Sequence, residues 1–313
     1  YQPDDKSATW SKGFNDRPYR EQRQLMAKGG RPADCKQCWS NELVGAWSLR
    51  HEALGMDWWR PYVDTIDTMT EKDGSFDHQP VYFDLRLGTK CNLACRMCSP
   101  ASSSLIEKEI DDNFTIFEEY QFQMEDYAYA KKNITTEQHI DQVFDYIQSV
   151  DIDELIESGR SKDITLMFIT NLTTVQRSML EKINKNFKKF SLNISMEGIE
   201  DSYEYIRYPS TWQKFQKNYD IIKEVGITHG ICYTGNSLTI GTFVDWLDWA
   251  YQNKIGWDFN PVVGPPYYNI SALPDDYKNI ITKDINEWRA KHPEYHLLGE
   301  LHSAIGWLSK SQN

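Results

Sequence analysis

The sequence predicts an α/β protein in which parallel strands form a partial (βα) barrel, with a helical N-terminal segment and C-terminal helices. Short β-type runs alternate with stretches of helical periodicity through the middle of the chain, which is the pattern of parallel βα units. The runs cover residues 81–87, 163–170, 189–196, 228–234 and 257–263. In such barrels reactive side chains collect at the carboxyl ends of the strands.

Apolar residues at helical spacing predict the helices that accompany these strands. One stripe runs from Trp212 to Ile222, with Gly226 as its stop signal, and another runs from Phe243 to Ala250. The chain from Leu273 onward predicts two helices separated near residues 292–293. The N-terminal segment predicts helices over residues 18–28 and 41–54.

Three segments are predicted from this pattern. Residues 1–80 form a helical segment, 81–270 form the core that carries the chemistry, and 271–313 form the C-terminal helices. The turn-rich stretch over residues 71–80 marks the first boundary. Because the sequence begins with Tyr1 and not with Met, we expect it to be truncated at the N terminus.

Composition restricts the partners. The formal net charge of −12, from 46 acidic and 34 basic residues, argues against nucleic acid because a negative field repels phosphate. The sequence contains no apolar run of about 18 residues, so we expect no membrane span. Its first residues lack the pattern of a signal peptide, and we expect a cytoplasmic protein.

The cysteines are grouped, which in a reducing compartment favours metal binding over disulfides. One pair has CxxC spacing, one triplet has CxxxCxxC spacing, and one cysteine stands alone in an apolar run and is expected to be a small buried hydrophobic residue. In that order, these are Cys35 and Cys38; Cys91, Cys95 and Cys98; and Cys232.

The triplet carries the chemistry. Cys91, Cys95 and Cys98 follow a predicted strand directly, and no fourth Cys or His lies in the loop. A structural zinc site usually draws four ligands. Iron–sulfur cubanes are held by thiolates, normally four, so three leave one iron open for another ligand. An iron–sulfur cluster is therefore the favoured interpretation, with zinc or reduced structural thiols as the alternatives.

In this position CxxxCxxC resembles the signature of the radical S-adenosylmethionine (SAM) superfamily. The resemblance implies a 4Fe-4S cluster with SAM bound at its open iron. It implies reductive cleavage of SAM to a 5′-deoxyadenosyl radical, which abstracts hydrogen from a substrate. An electron donor is then a required partner.

More of the chain is similar to the twitch-domain-containing subgroup of that superfamily. The similar segments are CKQCWSNELVGAWSLR, CNLACRMCSP, TNLT, NISMEGI, YIRYPS and PPYYNISALP. Relatives that carry auxiliary clusters act on peptides or other macromolecules, so the resemblance implies a substrate of that class. It also implies that Cys35 and Cys38 are what remains of an auxiliary iron–sulfur site. A partial zinc knuckle and a redox or structural thiol pair are the alternatives for these two cysteines.

The resemblance also assigns SAM-binding residues. Met97 takes a position that is often aromatic and faces adenine, and Asn171 a polar strand-end position near SAM. Ser195 and Glu197 match residues that hold the ribose and amino group, and Arg207 matches an arginine that pairs with the SAM carboxylate. The alternatives are a strand-ending cap at Asn171, an ordinary turn at Glu197 and a surface ion pair at Arg207.

One feature of the superfamily is missing. The Gly-Gly-Glu-Pro-like motif that receives the SAM amino group follows the second strand, but no glycine occurs from Ser99 through Ser158, where the sequence predicts acidic and aromatic helix. The strand and its motif are therefore expected to be deleted. This favours a second hypothesis, a non-catalytic iron–sulfur or zinc-binding relic of such an enzyme. A redox protein that passes electrons through its cluster is a third.

Overall fold

The computed structural model describes residues 15–45, 48–56, 59–63, 68, 70–76, 91–120, 124–125, 127–128 and 152–310. The chain divides into two compact units, Tyr1–Arg86 and Leu87–Asn313. The assignment of functions to residues 1–80, 81–270 and 271–313 stays a prediction. Among the helices of the described part, none is long and apolar enough to cross a membrane.

The described part of the first unit is mainly helical, with one antiparallel bridge between Thr70 and Phe76. Its helices are α1 (Arg17–Ala27), α2 (Lys36–Leu43), α3 (Leu49–Gly55) and α4 (Arg60–Val63). The prediction of one helix over residues 41–54 was wrong, because the chain turns at Gly45 with a φ of 71°. Ser48 then starts a new helix by accepting a hydrogen bond from the His51 N–H.

Among the described residues of the second unit, four parallel strands form a sheet in the order β1-β2-β3-β4. Its strands are β1 (Thr165–Thr170), β2 (Lys189–Ser195), β3 (Thr228–Gly235) and β4 (Gly256–Pro261). Its helices are α5 (Ser104–Asp112), α6 (Phe114–Tyr120), α7 (Ile152–Glu157), α8 (Arg177–Asn186), α9 (Glu200–Ile206), α10 (Trp212–Val225), α11 (Phe243–Gln252), α12 (Asp275–Lys291) and α13 (Leu298–Leu308).

Each strand pairs with the next strand along the chain, and at least one helix lies between them in sequence. This is the arrangement of a partial (βα) barrel, so the predicted α/β fold class is confirmed. Four of the five predicted strands coincide with β1 to β4 within two residues at each end. The remaining prediction, over residues 81–87, lies outside the described residues.

The two faces of the sheet differ in polarity. On β2, Phe190, Leu192 and Ile194 are buried, whereas the alternate residues Ser191 and Ser195 are only half-buried. Strands β3 and β4 alternate in the same way, because side chains along a strand point to opposite faces in turn. Strands β2, β3 and β4 therefore share one apolar face in the core and one polar face that is more accessible, whereas β1 has exposed side chains on both faces.

Helix α10 shows why the spacing of apolar residues predicted the helices correctly. The Thr211 hydroxyl accepts a hydrogen bond from the Lys214 N–H at its start, and Gly226 ends it with a φ of 75°. The apolar residues of the predicted stripe are all buried along one side of the helix; they are Trp212, Phe215, Tyr219 and Ile222. The C-terminal helices α12 and α13 likewise confirm the two helices predicted from residue 273 onward.

Candidate functional site

The three cysteines of the triplet lie in one loop, residues 91–98, which we call the cysteine loop. Two serines at the start of α5 hold it from one side. The Ser103 hydroxyl donates to the Leu93 carbonyl at 2.6 Å, and the Cys91 N–H donates to the Ser104 hydroxyl at 3.1 Å. Because Ser103 also accepts from the Ile106 N–H as the N-cap of α5, the loop and the helix share one anchor.

The C-terminal end of α9 holds the loop from another side. The Ala94 N–H donates to the Tyr208 carbonyl at 2.8 Å, and the Arg96 N–H donates to the Ile206 carbonyl at 3.0 Å. The Arg96 Nε also donates to the Tyr205 carbonyl at 3.2 Å, with its guanidinium over the Tyr205 ring. Backbone carbonyls that the end of a helix leaves unpaired are thus used to fix the loop.

A network of amides and hydroxyls connects the loop to the end of β1. Asn92 Nδ2 donates to Thr173 Oγ1 at 2.8 Å, and Asn171 Nδ2 donates to Asn92 Oδ1 at 3.1 Å. Asn171 Nδ2 also lies 3.9 Å from the Cys91 sulfur, within the range of a weak hydrogen bond. Since Asn171 follows the last residue of β1, the cysteine loop lies at the carboxyl edge of the sheet.

Met97 confirms this placement from a second strand. Its sulfur lies 3.7 Å from Asn236 Nδ2, and Asn236 follows the last residue of β3. Asn236 is itself fully buried and also donates to the Thr239 hydroxyl at 3.0 Å. Met97 therefore reaches the carboxyl ends of the strands.

The thiols differ in exposure and acidity. Cys95 is only 3% exposed, whereas Cys91 and Cys98 are half-buried. The Cys95 thiol donates a hydrogen bond to the Cys98 sulfur, which, together with burial, raises the pKa of Cys95. The same hydrogen bond lowers the pKa of Cys98 against the opposing effect of burial. Cys98 is thus the more readily ionised of the two, and thiolate is the form that binds a metal.

Glu197 and Arg207 form a buried ion pair. Arg207 Nε donates to Glu197 Oε2 at 2.5 Å, and Nη2 of the same guanidinium pairs with the other carboxylate oxygen. The side chains are 6% and 0% exposed for Arg207 and Glu197, respectively, so the alternative of a surface ion pair is wrong. Burial lowers the pKa of Arg207, but the Glu197 carboxylate and the nearby thiols outweigh that effect and leave it raised.

Ser195 is the last residue of β2, and on the neighbouring strand its partner in register is Cys232. Both side chains are half-buried on the polar face of the sheet, and Asn260 Nδ2 lies 3.2 Å from the Cys232 sulfur. The prediction that Cys232 is a buried small hydrophobic residue was therefore wrong. The flanking residues Ile231 and Tyr233 face the core, whereas the Cys232 side chain points to the opposite face of the sheet.

The structure brings Met97, Asn171, Ser195, Glu197 and Arg207 to the carboxyl edge that carries the cysteine loop. It adds residues that the sequence did not single out, because their partners are distant in sequence. These are Asn92, Ser103, Ser104, Thr173 and Asn236. The only local signal for any of them was a polar residue directly after a β-type run.

Cys35 and Cys38 lie in the first unit and are considered separately. Cys35 is the N-cap of α2 and Cys38 lies in its first turn, and both are half-buried. Beside them the Trp39 ring contacts the guanidinium groups of Arg31 at 4.5 Å and Arg50 at 4.6 Å. The assignment of this pair to an auxiliary iron–sulfur site stays a prediction.

Within the part of the chain that is described, no three Cys, His, Asp or Glu side chains converge as ligands of a single metal ion. An iron–sulfur cluster spreads its thiolates over several irons. The donor set of the cysteine loop, three thiols on one anchored loop with a buried cation beside it, fits a cluster of that kind.

The family model described as the Radical SAM superfamily matches residues 85–250, which is more than half of the chain. The chain belongs to the radical SAM superfamily. The matched region begins before the cysteine loop and continues through β1, β2 and β3 to α11, so it includes Ser195, Glu197 and Arg207. No curated protein matches the chain.

Among solved structures, those titled as native anSMEcpe are similar to this radical SAM protein. The structure with bound AdoMet is 17% identical, covers 43% of this chain and 38% of its own, and has a TM-score of 0.34. The structure with bound AdoMet and the Cp18Cys peptide is 16% identical, covers 41% of this chain and 38% of its own, with the same TM-score of 0.34. This chain thus spans well under half the length of those proteins.

Proposed function

We propose that this protein holds a 4Fe-4S cluster through Cys91, Cys95 and Cys98 and binds SAM at the carboxyl edge of the sheet. When bound, the cluster would supply the electron that cleaves SAM to methionine and a 5′-deoxyadenosyl radical, which abstracts hydrogen from a substrate. The observation that carries the proposal is the cysteine loop, which presents three thiols at the strand ends and is tied to β1, β3, α5 and α9.

The residues of the chain would orient SAM and exclude water from it. We propose that Ser195 contacts the ribose, that Asn171 and Met97 contact SAM beside the loop, and that Glu197 contacts the amino group. Arg207 has donors left after its two hydrogen bonds to Glu197, and these are proposed to meet the SAM carboxylate. Burial of the Glu197–Arg207 pair supports a defined position for both side chains.

Ser195 gives the cleanest test, because its replacement leaves no buried charge without a partner. We expect Ser195→Ala to weaken SAM binding by about two- to twelvefold, the value of one neutral hydrogen bond of about 0.5–1.5 kcal/mol. Ser191→Ala is the matched control, since Ser191 lies on the same strand and face but four residues further from the carboxyl edge. The measurement is a titration of the cluster-loaded protein with SAM.

Equal SAM affinities in the Ser195 and Ser191 variants would remove Ser195 from the proposed site. The Fe content of both variants is measured first, so that a change in affinity is not confused with loss of the cluster.

The substrate class and the physiological partners are also proposals. A peptide or other macromolecule is proposed because the region around Cys35 and Cys38 resembles that of relatives with auxiliary clusters, and an auxiliary iron–sulfur cluster at these cysteines is part of the same proposal. An electron donor is required for any reductive cleavage. We further propose that the protein acts in the cytoplasm, where its thiols would stay reduced.

One observation favours a second function. No glycine occurs from Ser99 through Ser158, so the glycine-rich backbone that receives the SAM amino group in the superfamily is missing from the sequence. Where this interval is described it forms α5, α6 and α7. A non-catalytic iron–sulfur protein descended from such an enzyme is therefore the alternative, and the rate of SAM cleavage separates the two.

A further inference from the structure

Cys95 and Arg207 lie on two backbone segments that are hydrogen-bonded to each other. The two backbone hydrogen bonds from Ala94 to Tyr208 and from Arg96 to Ile206 join the residues on either side of Cys95 to the residues on either side of Arg207. The two bonds hold the backbone at Cys95 close to the backbone at Arg207. Cys95 is 3% exposed and Arg207 is 5% exposed, so water does not screen one from the other.

The guanidinium of Arg207 is also fixed in place. Glu197 holds it by two hydrogen bonds in a fork geometry, and the Glu197 side chain is fully buried. At Cys95 the hydrogen bond to Cys98 and burial raise the pKa, and the charge of Arg207 opposes both. At Cys98 the hydrogen bond from Cys95 lowers the pKa, and the charge of Arg207 lowers it further, against the effect of burial. The Glu197 carboxylate acts on both thiols in the opposite direction.

We propose that Arg207 is a positioning residue for the cluster itself, in addition to any contact with SAM. Its buried cation, oriented by Glu197, stabilises the negative charge of the Cys95 and Cys98 thiolates and so favours the reduced cluster. This inference rests on the proposed function, because it requires a cluster on the cysteine loop. Nearby charge and hydrogen bonding to the sulfurs are among the factors that set cluster potentials.

The test is the reduction potential of the reconstituted cluster in three variants. Arg207→Gln removes the cation and should make the reduction potential more negative. We expect the equilibrium constant for reduction to fall tenfold or more, which corresponds to about 59 mV for one electron. Glu197→Gln removes the opposing carboxylate and should move the potential in the positive direction. Arg207→Lys keeps the charge without the fork and should lie between wild type and Arg207→Gln.

Arg96→Gln is the control, since Arg96 belongs to the cysteine loop and carries the same charge but is exposed. We expect it to shift the equilibrium by less than threefold, because solvent and salt screen an exposed charge. If Arg207→Gln shifted the potential no more than Arg96→Gln does, the proposal would be overturned. A purely structural role for Arg207 would not give shifts of opposite sign in the Arg207 and Glu197 variants.

Iron content separates this proposal from the proposed function. Wild-type protein that takes up no cluster contradicts the proposed function. A loaded wild type whose potential does not change in the variants contradicts only the role of Arg207. If Arg207→Gln fails to fold, because it leaves Glu197 buried without its partner, Glu197→Gln alone decides. A potential that is unchanged or more negative in that variant would overturn the proposal.

Discussion

Replacing Cys91, Cys95 and Cys98 together with alanine is expected to abolish iron binding at the core site. Wild-type protein reconstituted without oxygen should carry about four irons and four sulfides at this site, with broad charge-transfer absorption. Each single alanine variant should also lose that absorption, because two thiolates do not hold a cubane. Iron and sulfide analysis together with absorption spectra checks the prediction.

Cys232→Ala is the matched control for these variants. Cys232 is a free, half-buried thiol in the same unit, but it lies on β3 and not in the cysteine loop. It should therefore keep the full iron content of the core site. The cluster assignment would be wrong if the triple variant kept its iron. Iron that is lost only when Cys35 and Cys38 are also replaced would instead be assigned to the auxiliary site.

The second large effect concerns the chemistry of SAM. We expect reductive cleavage of SAM by this protein to be slow or undetectable, because the backbone groups that normally receive the SAM amino end are missing from the sequence after Ser99. The open iron and the strand-end residues would then hold SAM more loosely. The measurement is 5′-deoxyadenosine formed over time by the reduced, cluster-loaded protein with excess SAM.

A radical SAM enzyme with an intact glycine motif, run beside it, sets the scale, and the triple cysteine variant gives the background. Cleavage as fast as in that enzyme would show that other contacts compensate for the missing motif, and the relic hypothesis would be dropped. Cleavage at the background rate, with SAM still bound, would favour the relic.

Much of the fold could be predicted because it depends on local patterns. Strand β1 is rich in β-branched and apolar residues, and in β2 and β4 buried apolar residues alternate with polar ones. On α10, the buried side chains recur at the spacing of one helix face. The helix over residues 41–54 was wrong because its apolar residues continue through Gly45, where a left-handed backbone angle ends α2. The presence of a glycine at position 45 did not indicate whether its backbone would be helical or left-handed.

The candidate site was predicted only in part, and the reason is again physical. The three cysteines form a motif that can be recognised from spacing, and Asn171 and Ser195 follow from the ends of strands. The burial of Arg207 depends on contacts between segments more than a hundred residues apart, such as the hydrogen bonds that join its neighbours to the neighbours of Cys95. Such contacts leave no periodic trace, so a surface ion pair could not be distinguished from a buried one by sequence.

The missing glycine motif was visible in the sequence, but its structural consequence is only partly described. Between Ser99 and β1, the described residues form α5, α6, α7 and a short 3₁₀ turn over Arg160–Asp163, with no strand among them. The expected deletion of the second strand and its glycine-rich end stays a prediction. The stretch over residues 129–151 lies outside the described residues, and there the prediction stays open.

The central claim is that three thiolates leave one iron of the cluster open for SAM. Its most direct test is the electron paramagnetic resonance spectrum of the reduced, cluster-loaded protein before and after SAM is added, with S-adenosylhomocysteine as the control ligand. We expect SAM to change the spectrum of the core cluster and Ser195→Ala to raise the SAM concentration needed for that change. A fully loaded cluster whose spectrum is the same at saturating SAM would contradict it.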